Sequence, residues 1–279
     1  MLSEAIIRPA RPGDSEAIAA LMREGVSDQV RRITIMGSPH LGCYIADEIT
    51  AQRGDEYVVG TMQGHVIGMS SWRHRGTMLQ LNHLYLASDV CGQGLGTALV
   101  LDGLRRIRRA EEHLLSLDVF YDNPRARAWY RSWGMSPDHH VRWIQLPFPS
   151  GEFKEALRWT VSGMTESHAR YLRYGFSQFT LSTDLATYQI GRLSHGLFRV
   201  SAGSILRDPA ALQGLTRIDL RRQLLCVGSV DDTAEPLSKA AQLIAESERL
   251  VSSCTTTMEH LESSLSRRRR NRRAIPVRL

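Results

Sequence analysis

The sequence predicts an α/β (α+β) protein whose first part is built on a central mixed, mostly antiparallel sheet flanked by helices. Three observations carry this. Two strand-like runs, Glu56 to Met62 and Val66 to Trp72, flank Gln63-Gly64-His65, whose glycine suits a tight hairpin turn. Leu99, Val100, Leu101, Leu104 and Ile107 share one apolar face over Thr97 to Ala110, with Arg105, Arg106, Arg108 and Arg109 largely outside it, as an amphipathic helix requires. Between a leucine-rich strand, Met78 to Leu86, and that helix lies a glycine-rich turn, Cys91-Gly92-Gln93-Gly94-Leu95-Gly96.

The remaining elements follow in order. Ala5-Ile6-Ile7-Arg8 reads as a short strand. Pro12-Gly13-Asp14 then leads into a helix over Ser15 to Glu24, with Asp14 or Ser15 as its cap and Ile18, Leu21 and Met22 on one face. After the glycine turn and its helix come a strand, Leu114 to Phe120, a short helix, Pro124 to Trp133, and a closing strand, Val141 to Leu146. Two prolines and a glycine in Leu146-Pro147-Phe148-Pro149-Ser150-Gly151 mark a boundary. The reading is therefore a first domain over 1–148, a second, smaller α/β domain of uncertain fold over 149–265, and a basic tail over 266–279. In the second domain, Phe153 to Val161 and Ser167 to Tyr174 read as helices, and Gly196 to Ser201 and Gln223 to Val227 as strands. Ala234 to Leu265 reads as predominantly helical, with a break at Cys254-Thr255-Thr256-Thr257.

Composition narrows the function classes. At 279 residues and 42% hydrophobic content the chain can build real cores, and no apolar stretch approaches the roughly 20 residues of a membrane-spanning helix. The N-terminus lacks the order of a signal peptide, so a cytoplasmic location away from membranes is expected. Cys43, Cys91, Cys226 and Cys254 form no C-x-x-C pair, which suggests neither a zinc site nor a disulfide framework. The net charge of +6 is concentrated in Arg267 to Arg270, Arg272, Arg273 and Arg278. That run could hold RNA or another acidic surface by counterion release, but it has no interleaved aromatics for base stacking, so a solvated, disordered terminus is the favoured reading.

The chemistry centres on the glycine turn. Glycines at 92, 94 and 96 let the backbone turn sharply, and the first amides of the following helix point outward unpaired, with the helix dipole behind them. Such a turn suits a phosphate or pyrophosphate, although a plain tight connection between strand and helix accounts for it equally well. A dinucleotide site is disfavoured. The spacing is G-x-G-x-G, and the turn sits after a hairpin instead of opening the fold.

The turn resembles the pyrophosphate-binding turn of the Gcn5-related N-acetyltransferase family, Gln/Arg-x-x-Gly-x-Gly/Ala. Gly94 and Gly96 fill its two small positions, and Cys91 stands where the family has Gln or Arg. Downstream, Asn123, Ala126, Tyr130, Gly134 and Met135 match Asn-x-x-Ala-x-x-x-Tyr-x-x-x-Gly-Phe, with Met for the final aromatic. The resemblance spans roughly Ile6 to Phe148. It implies acyl-CoA, most often acetyl-CoA, as co-substrate and no metal. The cofactor would be held by Leu84, Leu86, Cys91, Gly92, Gln93, Gly94, Leu95, Gly96, Thr97 and Asn123, with Asn123 on the pantetheine arm or merely capping its helix. It further implies direct transfer to an amine-bearing acceptor. Tyr130 would be the acid that protonates the leaving thiolate, since a phenol near pKa 10 matches a thiol. A base has no fixed motif. Asn82 or His83 on the strand before the turn are the candidates, with Glu56 and His65 behind them. Cys91 has no local His/Asp partner that would make it a nucleophile.

Glu166 to Phe176 echoes the helix-then-Gly-Phe ending of the first domain, as a degenerate second acyltransferase-like unit would, but no second glycine turn accompanies it, so a structural or substrate-covering domain with a coincidental echo is an equal reading. Three functional classes stay open: an N-acyltransferase acting on a small molecule or protein, a non-catalytic acyl-CoA sensor or scaffold, and an acyltransferase acting on aminoacyl-tRNA or a ribosomal protein. A homodimer is also open.

Overall fold

A computed structural model describes residues 5–52, 54–148, 157–201, 203–229 and 241–273, except the side chains of 269 and 271–273. It divides into two compact units, each discontinuous in sequence: Met1–Gly25, Tyr44–Asp138 and Glu248–Leu279 form one, and Val26–Cys43 with His139–Ser247 form the other. A single cut at 148/149, as the prolines suggest, is a different division, because the strand that completes the first unit's sheet comes from near the C-terminus.

The first unit runs β1 (Ile6–Pro9), α1 (Ser15–Glu24), then, after α2 (Asp28–Ile33), which belongs to the second unit, most of α3 (Leu41–Ala51), β2 (Glu56–Met62), β3 (His65–Arg75), β4 (Met78–Leu86), α4 (Leu95–Ile107), β5 (Leu114–Phe120) and α5 (Pro124–Arg131). The β2–β3 hairpin turns at Gln63 and Gly64, both at positive φ, as the sequence predicts. Strands pair antiparallel from β1 to β4, and β5 lies parallel to β4. On the far side of β5 the sheet gains a strand from the end of the chain. One core fills the space between this sheet and α4, drawing on Trp72, Leu79, Leu81, Leu99, Leu104, Leu115 and Leu117, together with Leu250, Cys254 and Leu261 from the C-terminal segment.

The second unit contains most of β6 (Ser136–Leu146), then β7 (Trp159–Ser162), α6 (Met164–Tyr174), β8 (Ser177–Thr183), β9 (Thr187–Leu193), β10 (Leu197–Val200), α7 (Pro209–Ile218) and β11 (Gln223–Ser229). β7 to β10 pair antiparallel in order, and β11 lies parallel to β10. This repeats the connectivity of the first unit: strand, helix, three-strand meander, helix, parallel strand. β6, from the first half of the sequence, pairs with β11. Reciprocally β12 (Gln242–Ser253), from the second half, joins β5, and α8 (Cys254–Arg273) follows it.

Three secondary-structure expectations are corrected here. Within Phe153 to Val161, residues 153–156 lie outside the described residues, and the rest leads into strand β7 in place of a helix. Ala234 to Leu265 is not one helix: residues 234–240 are outside the described set, and Gln242–Ser253 is a strand. Helix-forming composition loses there to tertiary pairing, for Leu250 is fully buried and the Glu248 carboxylate sits between Arg127 (2.7 Å) and Arg131 (3.2 Å) of α5. The Cys254-Thr255-Thr256-Thr257 run starts a helix instead of breaking one. Ser253 Oγ accepts from Thr256 N at 3.0 Å, a cap that threonine-rich first turns tolerate. The basic tail is also not separate. Helix α8 continues through it as far as Arg273.

Candidate active site

The β4–β5 ladder is short. It runs from Met78 opposite Leu114 to Leu81 opposite Leu117 and stops, while β4 continues to Leu86 beside β3 alone. The two parallel strands therefore part, and the main chain of Asn82 to Leu86 borders the opening. A bulge marks the place: Trp72 pairs with Leu81 and Ser71 with His83, so Asn82 is the extra residue. The bulge resets which face each side chain takes. Leu84 and Leu86 pack with the core beside α4, whereas His83 and Tyr85 lie together on the other face, ring centroids 6.0 Å apart.

At the end of β4 the glycine turn takes the form the sequence predicts. Gly92 (φ +78) and Gly94 (φ +100) adopt left-handed backbone that a side chain would strain, and Gly94 is the N-cap of α4. The first amide to bond back into the helix is Ala98 N–H, to Gly94 O at 3.1 Å. Those of Leu95, Gly96 and Thr97 precede it and face the turn's mouth, with the helix dipole behind them. Leu95 and Thr97 have buried side chains, so their contribution to a ligand is main-chain only. Gln93 returns its amide to Asp89 O (2.9 Å) and Cys91 its thiol to Ala87 O (3.5 Å). Gly96 is needed for a different reason. A Cβ there would lie 2.7 Å from Trp129 Cη2, so the absent side chain is what lets α5 close on α4.

α5 starts at Asn123, whose Oδ1 accepts from Ala126 N at 3.0 Å with Pro124 at the first helical position. Helix capping thus accounts for Asn123, which is exposed. The cap aims the helix so that Tyr130 is buried against Trp133, ring centroids 5.0 Å apart. Burial raises the Tyr130 phenol well above its ordinary range, and it raises Tyr85 likewise, with Tyr130's proximity adding to the effect. Both hydroxyls keep their protons across the physiological range.

The base candidates separate. Burial pulls His83 down to about 4, partly opposed by the Asp55 carboxylate and reinforced by Arg73. His83 is therefore neutral at physiological pH. Asn82 donates to Asp55 Oδ2 at 2.6 Å, and Asp55 also takes Arg73 Nε at 2.6 Å and Ser71 Oγ at 3.3 Å. Asn82 is held in place and carries no titrating group. Asp55, 6% exposed, is a site residue that the sequence reading misses, since one aspartate before a strand has no motif to mark it. Glu56 is used elsewhere, on His74 Nε2 (2.9 Å), whose Nδ1 meets buried Glu112 (2.6 Å). His65 opens β3 and is exposed. Among the described residues no group of three or more His, Cys, Asp or Glu is arranged to hold a metal ion, and no helix is long and apolar enough to cross a membrane. All four cysteines are free thiols, and the Cys91 thiol donates to the Ala87 carbonyl.

Comparison with known proteins bears on this arrangement. The family model of the acetyltransferase (GNAT) family matches residues 18–135. No curated protein sequence gives a significant match. Among solved structures, the fold is similar to a proposed acetyltransferase from Pyrococcus horikoshii, with a TM-score of 0.62 at 14% identity over 91% of this chain and 90% of the other. It is also similar to a GCN5-related N-acetyltransferase from Sphaerobacter thermophilus, with a TM-score of 0.59 at 14% identity over 90% and 96%. A tandem GNAT protein from the clavulanic acid biosynthesis pathway gives 0.57 at 12% identity over 90% and 99%. At these identities the likeness is one of fold.

Proposed function

We propose, from the match of residues 18–135 to the acetyltransferase (GNAT) family model, that the protein is an N-acyltransferase that moves an acetyl group from acetyl-CoA to a primary amine. The observation that carries the proposal is the opening between β4 and β5 with the glycine turn at its end. The residues fit the donor. Amides at the start of α4 suit a diphosphate, and the main chain of Asn82 to Leu86, beyond the end of the β4–β5 ladder, suits the amide-bearing pantetheine arm. Acyl-CoA supplies an electrophilic thioester carbonyl and a thiolate leaving group.

The chain's own residues then have distinct tasks. The amides of Leu95 to Thr97 fix the phosphates, and the glycines keep side chains out of the way. Tyr130 holds a proton for the departing sulfur; burial raises the phenol above its ordinary match with a thiol and so weakens it as an acid, and it gives up that proton only to a thiolate whose basicity the same dry surroundings raise. His83, neutral, accepts the proton that the nitrogen sheds on becoming an amide. With a conjugate acid near pKa 4 it is a weak base, so the amine must arrive already deprotonated. Asp55 orients Asn82 at the bulge. Cys91 takes no covalent part.

A thiol-release assay with acetyl-CoA and a panel of amines tests this. Release that depends on an amine, and that falls in Tyr130→Phe while CoA affinity is kept, supports the reading. Tight CoA binding without release on any amine would make the protein an acyl-CoA sensor.

A further inference from the structure

The C-terminal basic run does not stand apart from the glycine turn. α8 is anchored on the first unit's core by Leu261, fully buried, with Met258 and Leu265 packed beside it. Glu262 on α8 meets Arg105 of α4 at 2.6 Å. One turn beyond Leu265 the helix reaches the turn itself: Arg268 Nη1 donates to Gly92 O at 2.7 Å, and Arg268 Cδ lies 3.5 Å from where a Cβ on Gly94 would be. From α5, Arg125 Nη2 lies 3.7 Å from the corresponding point on Gly92. Two arginines thus border the glycine turn at Gly92 and Gly94, one from each of two helices remote in sequence. Position 91, where the resembling family carries Gln or Arg, holds a cysteine whose thiol turns back to Ala87.

We propose that Arg268 is a diphosphate-binding residue of the acyl-CoA site, supplying from the far end of the chain the cation that position 91 lacks. The inference rests on the acyl-CoA reading above. A guanidinium has five N–H donors in a planar fork that matches two phosphate oxygens, so one can stay on the Gly92 carbonyl while others take the ligand. Docking of α8 places the group beforehand, so less side-chain freedom is lost on binding than from a free tail. It also gives a role to a stretch that reads as a solvated terminus but is helical as it passes the turn.

Titration calorimetry on the full-length protein tests this with CoA, dephospho-CoA, which lacks only the 3′-phosphate, 4′-phosphopantetheine, which keeps one phosphate of the diphosphate without the adenosine, and pantetheine, which lacks the whole diphosphate and the adenosine. Arg268→Ala weakens CoA and dephospho-CoA by the same factor, about tenfold for a charge-assisted contact, weakens 4′-phosphopantetheine in the same direction, and leaves pantetheine unchanged. Arg268→Lys recovers part of the loss. Arg221→Ala, an equal loss of charge at an exposed position of the second unit, changes none of the four. Unchanged CoA affinity in Arg268→Ala overturns the proposal, and so does tighter binding, which would make the guanidinium a plug in the turn. A loss confined to CoA overturns the diphosphate assignment in favour of the 3′-phosphate. Failure of the wild-type protein to bind CoA at all is a different result and sinks the acyl-CoA reading itself.

Discussion

Replacing Gly96 with alanine is a small change that the family pattern tolerates at this position, yet in this chain it meets an obstacle. The new methyl carbon would sit 2.7 Å from Trp129 Cη2 and 3.3 Å from Leu86 Cδ1. Carbon atoms pack best at roughly 3.5–4.0 Å, so the first contact is about 1 Å too close and the second a few tenths. Overpacking of this kind costs about 1–3 kcal/mol, and the gain in helix propensity of Ala over Gly returns up to roughly 1. The expected net loss is about 1–2 kcal/mol in urea denaturation. Relief comes only from moving Trp129, which shares α5 with Tyr130, so acetyl-CoA turnover falls with stability. Trp129→Phe removes the offending edge of the indole, and in the double variant the Gly96→Ala penalty shrinks by about 1 kcal/mol relative to additivity. If Gly96→Ala alone is as stable as wild type, or the two changes simply add, Gly96 is not there to admit Trp129.

Other consequences are equally open to measurement. Tyr130→Phe lowers kcat by about 10-fold or more with CoA affinity kept, as general acid catalysis requires; equal loss of both would mark Tyr130 as packing. A histidine whose folded pKa (about 4) lies below its unfolded value of about 6.5 destabilises the fold as pH drops through that window, because only the unfolded chain takes up the proton. His83→Gln should therefore remove about 2–3 kcal/mol of the stability lost between pH 7 and pH 4.5, and identical pH curves for the two proteins would contradict the depressed pKa. Glu248→Gln leaves Arg127 and Arg131 without their shared carboxylate and lowers stability by about 2 kcal/mol, read from chemical denaturation, if β12 is bound to α5 as described. A fragment ending at residue 148 lacks β12 and α8 altogether. It should bind CoA only when the 242–279 segment is supplied with it, and full binding by the fragment alone would contradict the strand exchange.

Much of the first unit is legible because its signals are local. The hairpin at Gln63-Gly64, the amphipathic stripe of α4, the glycine turn and the Asn123-Pro124 helix start each depend on residues a few positions apart. The site is only partly legible. Gly94 and Gly96 announce a ligand turn, but the Asn82 bulge, which decides that His83 and Tyr85 share a face, depends on β3. Asp55 matters only because Ser71, Arg73 and Asn82 converge on it, and no spacing rule brings those four together. The segment Gln242–Ser253 misleads because Ala, Glu, Leu and Ser favour a helix, while its partners, β5 and the arginines of α5, lie more than a hundred residues earlier. The same distance hides Arg268, which by composition belongs to a free tail and in the fold belongs to the glycine turn.

Amide hydrogen exchange of the full-length protein, with and without saturating CoA, locates the acyl-CoA site. CoA slows exchange in Leu95 to Thr97 and along Asn82 to Leu86, with no comparable change at the α7 start of the second unit, Pro209 to Gln213. Protection that appears only in the second unit, or nowhere despite saturation, would contradict that placement.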